Sequence, residues 1–224
     1  MSVEDLRHLF AEFHLNSEQT RLRPEPLKVT TFVDELLMSF GKKRFLLDSM
    51  VFGHCQLEQT SDEYASCRDK FLSSMRVPRV IIKIDKIFNA FLLAHYKLKT
   101  AQKVEDYGRV SIKDLFHGTA CKNLLSICEN NFNWRLNGRS VGHKFGQGIS
   151  FAKRSTYASH YPRNSKDCPR IMFLARVAVS KECLGHQGMI VPSEGCDTSI
   201  KIDGDVIVKY EDAECYPKYV IFYK

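Results

Sequence analysis

The chain has 224 residues, of which 44% are hydrophobic, and a formal net charge of +7. That length holds one large domain, or one domain with a smaller appendage, and the apolar fraction is ordinary for a globular protein. No apolar run approaches the ~20 residues a membrane-spanning helix needs, so no membrane partner is expected, and there is no repeat or low-complexity tract.

From the N-terminus, Leu6 to Phe13 fits a short amphipathic helix, and Arg21 to Pro26, with two prolines and two arginines, reads as a linker. Val29 to Phe40 mixes β-branched residues with Leu36-Leu37-Met38 and leaves strand and helix both open. Residues 1–60 are therefore read as an extension of unknown role, and residues 61–224 as the main domain. Ser61 is placed to cap a helix through Tyr64, Cys67 and Phe71 towards Met75. Val80 to Ile84 reads as a strand, Phe88 to Lys99 as a helix, and Ser111 to Phe116 as a strand ending at His117-Gly118-Thr119. Cys121 to Asn131 is expected to be helical. Gly138 to Gly148 is a glycine-rich basic loop, Ile149 to Phe151 a strand, and Ser155 to Tyr161 a helix. Arg170 to Val179, Asp205 to Lys209 and Tyr219 to Tyr223 are strands rich in β-branched and aromatic residues. The mixture argues an α+β fold with most strands in the C-terminal half.

The MSVEDLRHLFAEF start carries early acids and does not read as a signal peptide. The eight cysteines, Cys55, Cys67, Cys121, Cys128, Cys168, Cys183, Cys196 and Cys215, contain no Cys-x-x-Cys pair. Free thiols in a reducing compartment, cytoplasm or nucleus, are the expectation. Cys183, His186 and Cys196 lack the paired ends of a zinc site, so no metal is expected. Of the basic clusters, Lys42-Lys43-Arg44 and Lys97, Lys99, Lys103 read as solvated surface. Arg135, Arg139, Lys144, Lys153 and Arg154 surround the Phe145-Gly146-Gln147-Gly148 stretch, which favours an anionic partner. A phosphate-bearing small molecule fits that reading, and nothing further indicates nucleic acid.

His117-Gly118-Thr119 offers a ring nitrogen, a close backbone approach and a hydroxyl at a strand end. Alone it is as readily a polar residue beside a turn. It is followed in order by NFNWR (131–135), FGQG-Ile149-Ser150-Phe151-Ala152, MFLARV (172–177) and YPKYVIFY (216–223). This series resembles the catalytic domain of the poly(ADP-ribose) polymerase family, and most closely its mono-ADP-ribosylating members.

The resemblance implies the ADP-ribosyltransferase fold: two packed β-sheets with peripheral helices and a cleft for NAD, used as substrate. It implies transfer of one ADP-ribose to protein side chains with release of nicotinamide, by a monomer. It places Gly118 backbone on the nicotinamide amide, His117 and Thr119 at the adenosine ribose, Arg135 near the pyrophosphate, and Tyr161 stacked on the nicotinamide. Phe151 and Ala152 border the cofactor beside Ser150. The catalytic positions are His117, Ser150 and Val220. Ser150 stands where the family has tyrosine, Ala158 where it has a serine bonding the amide, and Val220 where chain-elongating members have glutamate. Two polar contacts are thus missing, and the alternative is a catalytically degenerate domain that acts as an interaction module.

Overall fold

The computed structural model describes residues 52–136, 144–162 and 169–224. The expectations for Leu6 to Phe13, Arg21 to Pro26, Val29 to Phe40 and the Lys42 cluster, and those for Arg139 and Cys168, lie outside the described residues. The strands are β1 (Phe52–Gln56), β2 (Ile81–Asn89), β3 (Ser111–Thr119), β4 (Ile149–Ala152), β5 (Arg170–Val179), β6 (Glu182–Leu184), β7 (Thr198–Ile200), β8 (Val206–Lys209) and β9 (Cys215–Tyr223). The α-helices are α1 (Asp62–Ser73), α2 (Ala90–Tyr107), α3 (Leu124–Asn130) and the single turn α4 (Ser155–Ala158).

The strands hydrogen-bond in the order β1-β2-β9-β5-β3-β4-β8-β7-β6. Between β3 and β4 the ladder narrows to one register pair, Phe116 with Ala152. The two expected sheets are thus a five-stranded and a four-stranded part that splay from this junction. Strand β5 alternates between two apolar clusters. Ile171, Phe173, Ala175, Val177 and Val179 face one side, and Met172 and Leu174 the other, as the period of two in a strand requires. Strand β1 falls in the stretch assigned to the N-terminal extension, and is the outer strand beyond β2.

Local chemistry sets the element ends. Ser61 caps α1 by accepting the Tyr64 N–H. The helix expected from Phe88 starts instead at Ala90, because β2 runs on through Asn89. Asn89 accepts the Leu92 N–H, and its amide donates to the Cys128 and Glu129 carbonyls at 3.0 and 3.1 Å. One buried amide therefore ends a strand, caps α2 and satisfies the C-terminal end of α3. Gly108, at φ 71°, terminates α2 in the left-handed conformation. The expected Ser155–Tyr161 helix shortens to α4 and a following turn. Pro217 is tolerated in β9 because β2 pairs with that strand only as far as Tyr219, so the proline meets β5 alone.

Two expectations fail. Lys103 is not a solvated lysine. It is buried with Lys209, Asp197 and Glu214 in a closed ion cluster tying α2 to β7, β8 and the turn before β9. Lys103 lies 2.5 Å from Asp197, and Lys209 2.6 Å from Glu214 and 2.7 Å from the Thr198 hydroxyl. Nor are all thiols free. Cys67, Cys128, Cys183, Cys196 and Cys215 are, but Cys121 is disulfide-bonded. No helix among the described residues is long and apolar enough to cross a membrane.

Candidate functional site

The splay between β3 and β4 opens a cavity of about 540 Å³, walled by β3, α3, the Phe132–Leu136 segment, β4 and α4 with its following turn. That volume is in the range of small-molecule sites. Beyond the Phe116–Ala152 pair the strands no longer bond to each other, and the His117 side chain fills the gap. Its Nδ1 lies 3.0 Å from the Ser150 carbonyl oxygen. A carbonyl only accepts, so Nδ1 carries the proton, and in the neutral ring Nε2 is an acceptor. Burial lowers the His117 pKa below the usual imidazole value, and the Ser150 carbonyl only partly offsets it. The ring is held edge-on by Phe132 and tilted against Phe151, at centroid distances of 5.0 and 5.6 Å. Position 117 therefore presents a neutral imidazole of fixed tautomer.

Cross-strand register extends this position across the sheet. His117 pairs with Phe173, Phe173 with Val220, and Val220 with Asp85. Directly opposed residues share a face, so the four form one row from the cavity outward. Val220 is buried in the apolar cluster with Phe132, Phe151 and Phe173. Asp85 is 1% exposed. Its Oδ2 is bonded by Lys83 at 2.6 Å and approached by His54 Nδ1 at 3.2 Å, while Oδ1 is buried without a partner.

Gly118 has no room for a side chain. A Cβ there would overlap the Ala158 carbonyl oxygen and come within 3.0 Å of Pro162 Cδ. Strand β3 and α4 thus touch backbone to backbone, which brings Tyr157, Ala158 and Tyr161 to the cavity. Ser155 fixes the start of α4: its hydroxyl donates to the Phe71 carbonyl at 2.6 Å, and its N–H bonds the Ser74 hydroxyl at 2.9 Å. Gly148 is equally constrained, because a Cβ would overlap the Lys209 carbonyl oxygen of β8.

Of the residues singled out in the sequence, His117, Gly118, Thr119, Ser150, Phe151, Ala152, Ala158 and Tyr161 come together around this one cavity. Arg135 and Val220 are not in the lining. The Arg135 guanidinium turns to Asp212, 2.9 Å away, and packs over Trp134 at 5.0 Å. Asp212 also accepts the Trp134 N–H at 3.1 Å. Arg154 is likewise paired, with Asp205. Among the described lining residues the positive charge comes from Lys122, which the sequence reading passed over. Asn123 was passed over too, although its amide donates to the Thr119 hydroxyl at 2.9 Å. Its place four residues after Thr119 was the available signal. Phe132 is both core and cavity wall. His160 is exposed, and His143 lies outside the described residues. Among the described residues, no three His, Cys, Asp or Glu side chains gather as metal ligands.

The family model for the poly(ADP-ribose) polymerase catalytic domain matches residues 61–224. The human protein mono-ADP-ribosyltransferase PARP12 is 29% identical over 185 residues, covering 77% of this chain and 26% of that protein. The mouse PARP12 is 30% identical over 190 residues, covering 79% of this chain and 26% of its own. The mouse zinc finger CCCH-type antiviral protein 1 is 27% identical over 146 residues, covering 64% of this chain and 15% of that protein. The chain thus spans about a quarter of the length of the PARP12 proteins it matches.

Proposed function

The chain belongs to the poly(ADP-ribose) polymerase catalytic-domain family, and from that premise we propose that the cavity binds NAD and transfers a single ADP-ribose to protein side chains at an attenuated rate. The observation that carries this reading is the fixed neutral imidazole of His117, set in the strand split beside Gly118 and Tyr161. Its Nε2 accepts a ribose hydroxyl. The Gly118 backbone serves the carboxamide, and Tyr161 offers a flat face to the cationic nicotinamide ring. In the reaction an acceptor side chain attacks C1′ of the nicotinamide ribose and loses its proton. The C–N bond breaks with its electron pair, and neutral nicotinamide leaves through an oxocarbenium-like transition state. These residues hold the ribose and the leaving group in line for that step.

Polymer synthesis is not part of the proposal. Val220 has no group to polarise an acceptor hydroxyl, and its apolar neighbours are suited to valine. Attenuation follows from Ser150 and Ala158. Serine lacks a ring to pack on the nicotinamide ribose, and alanine lacks a hydroxyl for the amide. Each loss costs about 1–3 kcal/mol where the opposite group stays unpaired. Those same residues favour the second reading, an NAD-free interaction module. Incubating the protein with labelled NAD and candidate acceptor proteins separates the two. Labelling by the parent that disappears in His117→Ala supports the transferase, whereas equal labelling by both proteins refutes the assigned site.

A further inference from the structure

The turn that leads into β4 is held by groups outside the cavity. Ser199 of β7 is buried, and its hydroxyl donates to the Phe145 carbonyl at 2.7 Å. The same Oγ lies 2.6 Å from the Tyr210 hydroxyl. A serine has one hydroxyl hydrogen and the carbonyl takes it, so Tyr210 is the donor of the second bond. Tyr210 is half-buried and directly follows β8. The turn is closed on its other sides too. A Cβ on Gly185 would overlap the Phe145 carbonyl oxygen, and one on Gly146, which stands at φ 130°, would overlap the Tyr210 hydroxyl. The Gln147 N–H bonds the Met189 carbonyl at 2.7 Å. The chain from Phe145 to Gly148 therefore has one path into β4. That path bears on His117. Strand β4 meets β3 at one register pair, so the Ser150 carbonyl is aligned by β8 and by the turn that delivers Gly148 and Ile149 to the cavity wall. Ser150 pairs with Val208, and Val208 with Ser199, so the two serines stand in one row across the sheet.

We propose that Ser199, backed by Tyr210, is a positioning residue for His117. It sets the path of Phe145 to Gly148, and through that path the Ser150 carbonyl that holds the proton on Nδ1 and leaves Nε2 as an acceptor. The consequence for ligand affinity rests on the NAD reading above, whereas the effect on the ring does not. The test is nitrogen NMR of the imidazole signals in the full chain at pH 8, with His117→Ala identifying which signals belong to position 117. Calorimetric titration with a non-hydrolysable NAD analogue accompanies it. The parent is expected to show one neutral tautomer, with hydrogen on Nδ1. Ser199→Ala leaves the Phe145 carbonyl and the Tyr210 O–H without each other's bridge. It is expected to populate the Nε2–H tautomer and to weaken the analogue about threefold to tenfold. Tyr210→Phe keeps the bond to Phe145 and is expected to shift both readouts the same way by less. Ser199→Thr keeps the hydroxyl and is expected to retain the parental tautomer. An unchanged tautomer in Ser199→Ala overturns the proposal whatever its melting temperature, because a hydroxyl that only supports the fold lowers stability without touching the ring. If Ser199→Ala does not fold, Tyr210→Phe decides, and parental ring signals there overturn it. A parent that does not bind the analogue overturns the NAD reading, and the ring signals still decide this proposal.

Discussion

Replacing Val220 with glutamate is the obvious attempt to turn a mono-transferase into a polymer-forming enzyme, and the register argues that it fails. Val220 lies directly opposite Asp85 on one face of the sheet, with Phe173 on its other side. Both Val220 and Asp85 are buried, and Asp85 already has one oxygen without a partner. Val220→Glu sets a second carboxyl group beside the first, and Lys83 and His54 are already engaged by Asp85. An uncompensated buried charge costs about 3–5 kcal/mol, or a melting temperature lower by roughly 6–20 °C for a domain of this size. Burial and the neighbouring carboxylate raise the new group's pKa above that of the unfolded chain. The folded state therefore binds its proton more tightly. The destabilisation is small below about pH 4, grows as pH rises through the folded pKa, and is largest at neutral pH. Urea denaturation of parent and variant at pH 5 and pH 8 measures it, and adding Asp85→Asn is expected to recover part of the loss. A Val220→Glu protein with parental stability at both pH values would refute the placement of Asp85 and Val220 as buried neighbours.

Gly118→Ala is expected to push α4 off β3 through the Ala158 carbonyl overlap, costing about 1–3 kcal/mol and abolishing ligand binding, as thermal melts and titration would show. Lys209→Met leaves Asp197 and Glu214 short of a counter-charge and is expected to cost about 3–5 kcal/mol in denaturant titrations. In the parent, burial raises the Asp197 pKa, but Lys209, Lys103 and the Lys181 N–H outweigh it and hold that pKa far below the ordinary range. The stability from this carboxylate is present above the unfolded aspartate pKa and is lost as pH falls towards the folded one, so an acid denaturation profile should flatten in Lys209→Met. Because burial lowers the His117 pKa, NAD affinity is expected to be flat from pH 7 to 9 and to fall only once the pH drops below the ordinary imidazole range, where Nε2 becomes protonated. Ser150→Tyr with Ala158→Ser is expected to raise NAD affinity by about tenfold or more. No change in calorimetry would count against the site assignment.

Much of the cavity lining was legible because its residues sit in short motifs that follow one another in a recognisable order. His117 and Ser150 come from two segments that pair at a single point, and β5 declares itself through ten residues of almost unbroken burial. What was not legible rests on partners far apart in sequence. Lys103 looked like one more lysine on a polar helix, since Asp197 lies 94 residues away and nothing near Lys103 announces it. Asn89 looked like part of a helix because its bonds to the end of α3 need Cys128 and Glu129, far along the chain. The resemblance placed Arg135 near the pyrophosphate, and its ion pair with Asp212, 77 residues on, had no signal in the sequence. The three-residue strands β6 and β7 carry too few residues for an alternating pattern to show.

The most direct test of the account is titration of the purified chain with a non-hydrolysable NAD analogue by calorimetry, alongside His117→Ala. Saturable binding in the micromolar range, lost in His117→Ala, is the predicted result. No heat at millimolar analogue would contradict the assignment of this cavity to NAD and leave the interaction-module reading in its place.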